Sequence, residues 1–352
     1  MDGLLVPLLM AGALSLTCTP LVMRLAGRVG AIDLPDRRKM HTSPMPRLGG
    51  LAIYLAFVFV ILVTQQLTGE VLGLLAGSTL IVALGILDDT RGVTPKVKLL
   101  GQVVAALSVI PFGLQVEFIT NPVHSGMIAL GWWGIPLTVF WLVAVTNAVN
   151  LIDGLDGLAA GIAAIAALTM SVISWTEGQI AAMVISLILF VAVLGFLPYN
   201  FHPARIFLGD TGSMFLGFAL AATAIMGLTK SATAVSILIP IVILGIPLFD
   251  TAFAIFRRYR NRQPIFYPDK QHLHHRLLEA GLSHRRAVLT VYGVNLVLGA
   301  SAVLLTVLST DQGMLLLLVV ATLLIGLANK AGILGEGWAR RTEPVQTKQS
   351  EF

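Results

Sequence analysis

Long apolar runs separated by short polar segments dominate this chain and predict membrane-spanning helices. A helix needs about 20 apolar residues to cross the hydrocarbon core, and about eleven runs approach that length. They lie near residues 3–22, 48–66, 69–87, 97–113, 133–150, 157–175, 179–197, 212–229, 232–255, 287–308 and 313–330. We therefore predict an all-α polytopic membrane protein, with a membrane domain over residues 1–330 and a polar, disordered cytoplasmic tail over residues 331–352.

The basic residues of the loops predict the orientation of these helices. With the N-terminus outside, an odd number of spans places the C-terminus in the cytoplasm. All of the 23 lysines and arginines except Lys230 then fall on the inner side, as the positive-inside rule requires. The first 22 residues lack a basic leader and a clear cleavage site, which indicates a retained span. The predicted location is the plasma membrane, with the inner loops in the cytoplasm.

Composition excludes several other classes of protein. The 352 residues are long enough for two soluble domains, but 56% of them are hydrophobic and only 12% are charged, about half the usual charged share. Topology accounts for the net charge of +5, and the basic residues have no interleaved aromatics, so we predict no nucleic-acid partner. Cys18 is the sole cysteine, so an intrachain disulfide is excluded.

The acidic residues of the inner loops predict a site at one membrane face. Carboxylates at the edge of a membrane are costly and are functional by default. Taken singly, each is most simply a helix-end residue in contact with water, but together they lie on one predicted side with Asn, Gly and His around them. A shared site is the better explanation for all six. They are Asp88, Asp89, Asp153, Asp156, Asp210 and Asp250.

The pair Asp88–Asp89 ends the third apolar run, in the string GILDDT. Adjacent helical residues point about 100° apart, so the two carboxylates need not share a role. If they lie close together, repulsion raises the pKa of one of them, which suits a group that takes up a proton. A DD pair alone is a weak signal.

The string NAVNLIDGLDG, residues 147–157, gathers four oxygen-bearing side chains at intervals of three. Neighbours at this spacing share a helical face, but the ends of the series do not. Gly154 and Gly157 therefore predict a break in the helix, with the backbone folded around a ligand. Amide and carboxylate oxygens are ligands suited to Mg²⁺. The four side chains belong to Asn147, Asn150, Asp153 and Asp156.

The string FLGDTGS, residues 207–213, places Asp210 between two glycines just before an apolar run. Thr211 and Ser213 are candidate caps for the helix that follows, and the start of a helix also favours a phosphate. Phe207 is apolar in a polar loop. It is predicted either to stack on a base or to fill the interior.

Two further inner loops carry candidate phosphate ligands. The string DKQHLHHR, residues 269–276, contains His272, His274 and His275. Zinc is the alternative for these histidines, but the cysteine is remote and the spacing differs from a helical zinc motif, so grasp of a diphosphate fits better. In the first loop, His41 and Arg47 can meet anionic phosphate. The sequence has neither a Walker A string nor GxGxxG, so metal and cationic side chains must hold the phosphate.

At this point the motifs resemble a known family. The ordered strings DxPxxRKxHxxPxPRxGG, DD, TPKxK, NxxNxxDGxDG, FxGDxGS and DxxHxHHR cover roughly residues 10–310. They resemble the polyprenyl-phosphate N-acetylhexosamine-1-phosphate transferases (glycosyltransferase family 4), which include MraY. The closest likeness is to the branch of WecA and TagO. MraY enzymes carry a different histidine loop, so HLHHR favours an N-acetylglucosamine donor over a MurNAc-pentapeptide donor.

The resemblance also implies roles for particular residues. It implies Mg²⁺, with Mn²⁺ as an alternative, bound by Asp210 and Asn150. It implies that Asp88 is the base for the lipid phosphate and that Asp89 supports it, with Asp153 as a third carboxylate at the reaction centre. The remaining implied ligands of the substrates are Lys98 for phosphate, Asp153, Gly154 and Asp156 for uridine, Phe207 for uracil, and His272, His274 and His275 for phosphate or sugar.

The reaction that the resemblance implies joins UDP-N-acetylglucosamine to undecaprenyl phosphate, giving undecaprenyl-diphosphate-N-acetylglucosamine and UMP. This would start a cell-envelope glycopolymer such as teichoic acid or O-antigen. A direct attack and a route through an aspartyl phosphate both remain open, as do another UDP-amino-sugar donor and a homodimer. A secondary transporter is the remaining alternative, but its charges would lie at the midplane, whereas these acids lie at one face.

Overall fold

The computed structural model describes residues 3–35, 43–120, 127–227, 238–264 and 272–330. Predicted residue His41, the segment around Lys270 and the tail over 331–352 lie outside these ranges. The helices are α1 (Leu5–Val29), α2 (Gly49–Thr64), α3 (Gly69–Arg91), α4 (Pro95–Ser108), α5 (Gly134–Ile152), α6 (Leu158–Thr176), α7 (Ile180–Asn200), α8 (Gly209–Gly227), α9 (Leu238–Ile243), α10 (Gly245–Arg260), α11 (Leu273–Glu279), α12 (His284–Leu305) and α13 (Thr310–Lys330).

Two short antiparallel strand pairs interrupt the helical architecture. Strands β1 (Ile32–Asp33) and β2 (Met45–Pro46) pair in the first loop. Strands β3 (Phe118–Thr120) and β4 (Met127–Ala129) form a second pair between α4 and α5. The all-α prediction is therefore confirmed for the membrane part, and these small ladders are an addition to it.

Membrane-crossing helices make up most of the described chain. Within it, nine helices are long and apolar enough to span a bilayer. The predicted run 48–66 corresponds to α2, which has only 16 residues. The described part of run 232–255 divides into α9 and α10, with Leu244 between them. The chain is a multi-pass membrane protein by this architecture, while the count of eleven and the orientation stay predictions.

Helix α8 lies at the centre of the bundle. It packs against α2, α3, α5, α6 and α7, and every residue from Thr211 to Gly227 is buried. A helix that is apolar and small-sided all round is suited to such an interior position. Helix α13, by contrast, packs beside α12 and exposes most of its apolar side chains. The central helix therefore carries Asp210, in its first turn, to a position that several other helices can reach.

Close helix packing at glycines brings the polar ends of α2, α3 and α8 together. A Cβ atom at Gly50 would overlap the Cα atom of Gly212, and one at Gly85 would overlap the Cα atom of Thr211. Small residues permit this approach of backbones in membrane bundles. The start of α8 is thus fixed against two neighbouring helices at the level of the predicted site.

Candidate active site

Lys98 joins two carboxylates that are far apart in the sequence. Its Nζ atom lies 2.9 Å from Oδ2 of Asp88, at the end of α3, and 2.6 Å from Oδ1 of Asp210, at the start of α8. Asn150, in the last turn of α5, donates from Nδ2 to the same Asp210 oxygen at 2.6 Å and to Oγ of Ser213 at 2.8 Å. Lys98 and Asn150 thus both contact the Asp210 carboxylate, and Lys98 also contacts Asp88. We refer to Asp88, Lys98, Asn150 and Asp210 as the polar centre.

Arg47 links the first loop to this centre. Its Nη2 atom lies 3.0 Å from Oδ1 of Asp89 and 3.3 Å from Oδ2 of Asp210, and its Nε atom donates to Asp89 at 3.0 Å. A third carboxylate, Asp33 in β1, lies 3.9 Å from Nη1. The guanidinium, which the sequence predicts to meet phosphate, therefore lies among three protein carboxylates.

Asp89 caps the first turn of α8 from a different helix. Its side chain is fully buried and accepts from the backbone N–H of Asp210 at 3.0 Å and of Thr211 at 2.9 Å. The hydroxyl of Thr211 donates to Oδ2 at 2.6 Å. The first N–H groups of a helix lack partners within that helix. Asp89 supplies these partners, for which the sequence offers Thr211 and Ser213 as candidates.

Asp88 has a different environment from Asp89. Its Oδ1 atom accepts from the backbone N–H of Val93 at 2.8 Å, and its Oδ2 atom faces Lys98. The exposed fraction of the Asp88 side chain is 11%, so a substrate atom can reach it. The two members of the DD pair therefore separate into one carboxylate held in the protein interior and one at the polar centre.

The predicted break at the DGLDG string is present. Helix α5 ends at Ile152 and α6 begins at Leu158, with Gly157 in the left-handed region at φ 78°. The side chain of Asn200 fixes this turn to the loop that follows α7, because it accepts from the N–H of Gly157 at 3.1 Å and donates to the carbonyl of Ile206 at 3.0 Å. The turn is held as one wall of a cavity.

The cavity beside this turn has a volume of about 810 Å³. Its lining includes Asp153, Asp156, Phe207 and Asp210. Burial, followed by the negative charges of Asp210, Asp89 and Asp156, raises the pKa of the Asp153 carboxyl to about 8. The pKa of Asp153 is thus raised towards neutrality, and in its protonated form this carboxyl can donate a hydrogen bond.

A second, apolar groove of about 1320 Å³ runs between α4, α5 and α10. Its wall includes Val103, Phe140, Val143 and Phe249, and Lys98 lies at its polar end. The groove and the polar cavity share three lining residues, which are Asn150, Gly154 and His275. The two spaces therefore meet at the polar centre.

The histidine string forms the start of α11 beside this junction. Nδ1 of His272 lies 2.7 Å from Oδ2 of Asp250, and Oδ1 of Asp250 accepts from the N–H of Leu273 at 2.9 Å. His274 packs so closely on the DGLDG turn that a Cβ atom at Gly154 would overlap its ring. Burial, together with His275 and His272, lowers the pKa of His274 to about 3, so this ring is neutral at physiological pH.

A third polar cluster was not predicted from the sequence. Oδ2 of Asp156 accepts from the N–H of Ala204 at 3.1 Å and lies 2.8 Å from Nδ1 of His202. The ring of His202 stacks on that of His284, with centroids 4.1 Å apart. His202 lies in the loop after α7 and His284 is the first residue of α12, so no spacing in the sequence indicated that they meet.

The chemistry of the polar centre fits a hard divalent cation. Asp88 and Asp210 offer carboxylate oxygens, and Asn150 offers an amide oxygen once its amide turns, all of which suit Mg²⁺. The Lys98 ammonium between the two carboxylates indicates that the position favours positive charge. The residues predicted as metal ligands, Asn150 and Asp210, are in direct contact.

Comparison with known proteins shows the family of this chain. The family model for glycosyl transferase family 4 matches residues 71–228. A Bacillus subtilis (strain 168) protein named probable undecaprenyl-phosphate N-acetylglucosaminyl 1-phosphate transferase is 44% identical over 291 residues, covering 82% of this chain and 81% of the relative. The chain belongs to this family. The resemblance predicted from the motifs is thereby confirmed.

More distant relatives in family 4 carry related names. A Mycobacterium tuberculosis (strain ATCC 25618 / H37Rv) decaprenyl-phosphate N-acetylglucosaminephosphotransferase is 37% identical over 315 residues, or 81% of this chain and 78% of the relative. An Escherichia coli (strain K12) undecaprenyl-phosphate alpha-N-acetylglucosaminyl 1-phosphate transferase is 27% identical over 273 residues, or 76% and 74%. The region that the family 4 model matches contains the whole polar centre, while Arg47 and α11 lie outside it.

Proposed function

We propose that this family 4 protein transfers N-acetylglucosamine 1-phosphate from UDP-N-acetylglucosamine to a polyprenyl phosphate, giving polyprenyl-diphosphate-N-acetylglucosamine and UMP. The observation that carries the proposal is the meeting of a polar cavity and an apolar groove at the polar centre. A nucleotide sugar and a lipid phosphate need such a pair of spaces. The names of the relatives support the same donor and acceptor classes. Undecaprenyl phosphate is the proposed acceptor.

The apolar groove suits the prenyl chain. Its lining is mostly aliphatic and aromatic, and its polar end carries Lys98, which can meet the lipid phosphate. A hydrocarbon tail buried in such a groove gains free energy in proportion to the area that it removes from water. In this arrangement the acceptor phosphate lies beside Asp88, because Lys98 contacts that carboxylate.

The polar cavity suits the nucleotide sugar. A volume of about 810 Å³ lies within the range of about 300–1,000 Å³ that is typical of small-molecule sites. Phe207 offers an aromatic face for the uracil ring, and Asp153 and Asp156 offer polar contacts from the DGLDG turn. The donor diphosphate then extends towards Asp210 and Asn150. His275 lies where the cavity and the groove meet.

The proposed chemistry exchanges one phosphoanhydride bond for another. Asp88 takes the last proton of the lipid phosphate, whose oxygen attacks the phosphorus that bears the sugar. The bond from that phosphorus to the bridging oxygen breaks, and UMP leaves with that oxygen. Lys98 and Arg47 offset the negative charge that gathers during the attack. Mg²⁺ held by Asp210 and Asn150 would supply further charge neutralisation for the diphosphate.

The test of this proposal is a complete reaction with purified protein. Full-length protein in detergent receives UDP-N-acetylglucosamine labelled in the sugar, undecaprenyl phosphate and Mg²⁺. We expect labelled lipid and UMP in equal amounts, and no product when the lipid or the metal is omitted. Parallel reactions with UDP-MurNAc-pentapeptide and UDP-N-acetylgalactosamine define the donor. Hydrolysis of the donor without lipid product would refute the transferase assignment.

The orientation is part of the proposal, with the polar centre on the cytoplasmic side where nucleotide sugars are made. In a Cys18→Ser background, single cysteines replace Ser43, in the loop of Arg47, and Ser309, between α12 and α13. We expect an impermeant thiol reagent applied to intact cells to label position 309 and not position 43. The opposite labelling pattern would reverse the orientation.

The groove assignment predicts a selective defect in acceptor binding. Ala144 lines the groove, and Ala144→Phe places a ring in the space proposed for the prenyl chain. We expect the KM for undecaprenyl phosphate to rise about tenfold, equivalent to ~1.4 kcal/mol of lost binding, while the KM for the donor stays unchanged. The matched control is Ala321→Phe on the exposed face of α13, which should leave both constants as in the wild type. Equal rises in both KM values for Ala144→Phe would argue against a lipid groove.

A further inference from the structure

We propose that Asp156, His202 and His284 form a binding site for a transition-metal cation such as Zn²⁺, separate from the polar centre. One ligand atom of each residue lies within 4.8 Å of the other two. The three residues come from the DGLDG turn, the loop after α7 and the start of α12. Among the described residues, this is the one group of three histidine, cysteine or acidic side chains with that convergence.

An unsatisfied nitrogen at the cluster provides an independent observation. Nε2 of His284 is buried and has no hydrogen-bond partner within the described chain. A buried polar atom without a partner is unfavourable, and such atoms in native proteins call for an explanation, which includes a missing ion. A metal bound here would satisfy that nitrogen. The half-buried position of His284 beside the cavity leaves a route by which an ion can enter.

The donor set distinguishes this cluster from the polar centre. Two imidazoles and one carboxylate are typical ligands of Zn²⁺, Co²⁺ and related ions. Mg²⁺ prefers oxygen ligands, which the polar centre supplies. The cluster is therefore expected to select a softer ion than the polar centre does. Binding should weaken as pH falls, because protonated imidazoles cannot act as ligands.

Metal binding requires a small rearrangement, which the structure permits. The two rings stack with an angle of 17° between their planes, whereas the lone pair of an imidazole nitrogen lies in its ring plane. One ring must therefore turn towards the other ligands. His202 can turn, because 38% of its side chain is exposed, and its contact with Asp156 would be replaced by bonds to the ion. Arg285 donates to the carbonyl of His202 at 3.1 Å, and its positive charge limits the affinity.

The cluster lies where a bound ion would affect binding of the donor. Asp156, His202 and His284 all line the polar cavity. An ion held by them would occupy part of the space that we assign to UDP-N-acetylglucosamine. We infer that Zn²⁺ and the donor exclude one another, an inference that rests on the proposed function.

The site can be tested with Co²⁺ as a spectroscopic probe. Full-length protein carrying an affinity tag without histidine is stripped of metal and titrated with Co²⁺ in detergent. We expect visible d–d absorption typical of nitrogen and oxygen ligands, removed by Zn²⁺ and not by excess Mg²⁺. His202→Phe and His284→Gln should each weaken the binding of Co²⁺ at least tenfold. Asp210→Asn and His275→Gln should leave it unchanged, because neither residue belongs to the cluster.

Each outcome of this titration decides the proposal. No Co²⁺ absorption in the wild type, or unchanged affinity in both cluster variants, would overturn the site. Loss of the signal in Asp210→Asn would assign the ion to the polar centre and would also overturn it. A thermal melt of each variant identifies loss of fold. His202→Phe is the variant least expected to unfold the protein, because His202 lies in a loop and is partly exposed.

Donor exclusion is measured separately, in the absence of lipid acceptor. Calorimetry first measures binding of UDP-N-acetylglucosamine to metal-stripped protein with added Mg²⁺. Failure of the donor to bind at this stage counts against the proposed function and leaves the cation site intact. If the donor binds, we expect it to weaken the affinity for Co²⁺ at least tenfold. Simultaneous binding with unchanged affinities would overturn the exclusion.

Discussion

Asp210→Asn is expected to abolish measurable transfer while leaving the fold intact. The substitution keeps the shape of the side chain but removes the charge that contacts Lys98, Arg47 and Asn150. It would also remove the carboxylate proposed to hold Mg²⁺. Loss of one preorganised electrostatic group typically lowers kcat by roughly 10²–10³-fold, and loss of a metal ligand adds to this. UMP release and labelled lipid product are the measurements.

The control for this variant is Asp311→Asn. Asp311 is exposed in the first turn of α13, on a helix that packs beside α12. Asp311→Asn should retain wild-type turnover. Asp210→Asn and Asp311→Asn should have the same elution volume and melting temperature in detergent. Turnover near that of the wild type in Asp210→Asn would remove Asp210 from the reaction centre.

Asp89→Ala is expected to destabilise the protein, whereas Asp88→Ala is expected to stop catalysis in a folded protein. Asp89 is buried and accepts from Arg47, from two backbone N–H groups of α8 and from the hydroxyl of Thr211. Removing one partner of a fully buried ion pair typically destabilises by about 3–5 kcal/mol. The Arg47 side chain is 30% exposed, so its share of the loss is smaller, but the α8 N–H groups left without a partner add to it. We expect a lower melting temperature and a lower yield of monodisperse protein.

The variant Asp88→Ala tests whether the loss of stability is specific to Asp89 within the Asp88–Asp89 pair. Asp88 contacts Lys98 and one backbone N–H group and is partly exposed, so its removal leaves the start of α8 in place. Asp88→Ala should melt near the wild-type temperature and lack transfer activity. Asp89→Asn, which keeps an acceptor oxygen, should recover part of the stability that alanine loses. Equal melting temperatures for Asp88→Ala and Asp89→Ala would contradict the division of roles.

The sequence was sufficient to predict that distant polar loops converge, because topology places consecutive helix ends on alternate sides of a bilayer. Asp88, Asn150 and Asp210 do come together around Lys98. Hydropathy was less successful at helix ends. The third run was predicted to stop at residue 87, whereas α3 continues to Arg91, because backbone hydrogen bonds hold a polar last turn that hydropathy does not register.

Contacts that depend on side-chain direction could not be predicted. Adjacency gave no reason to expect that Asp89 would cap α8 while Asp88 faced Lys98. The cap joins Asp89 to Thr211 across 122 positions, so no local motif records it. His202 and His284 likewise meet because the start of α12 packs near the loop after α7. Single histidines in separate segments of the chain carry no spacing signal.

The cavity and the groove meet at Asn150, Gly154 and His275. The two proposed substrates therefore reach this junction from different phases. The donor arrives from bulk water, where its molar concentration sets the rate of encounter. The acceptor diffuses laterally within the bilayer, where its surface density is the relevant quantity. Dilution of the acceptor with inert phospholipid therefore slows the enzyme even when the amount of every reactant in the vessel is constant.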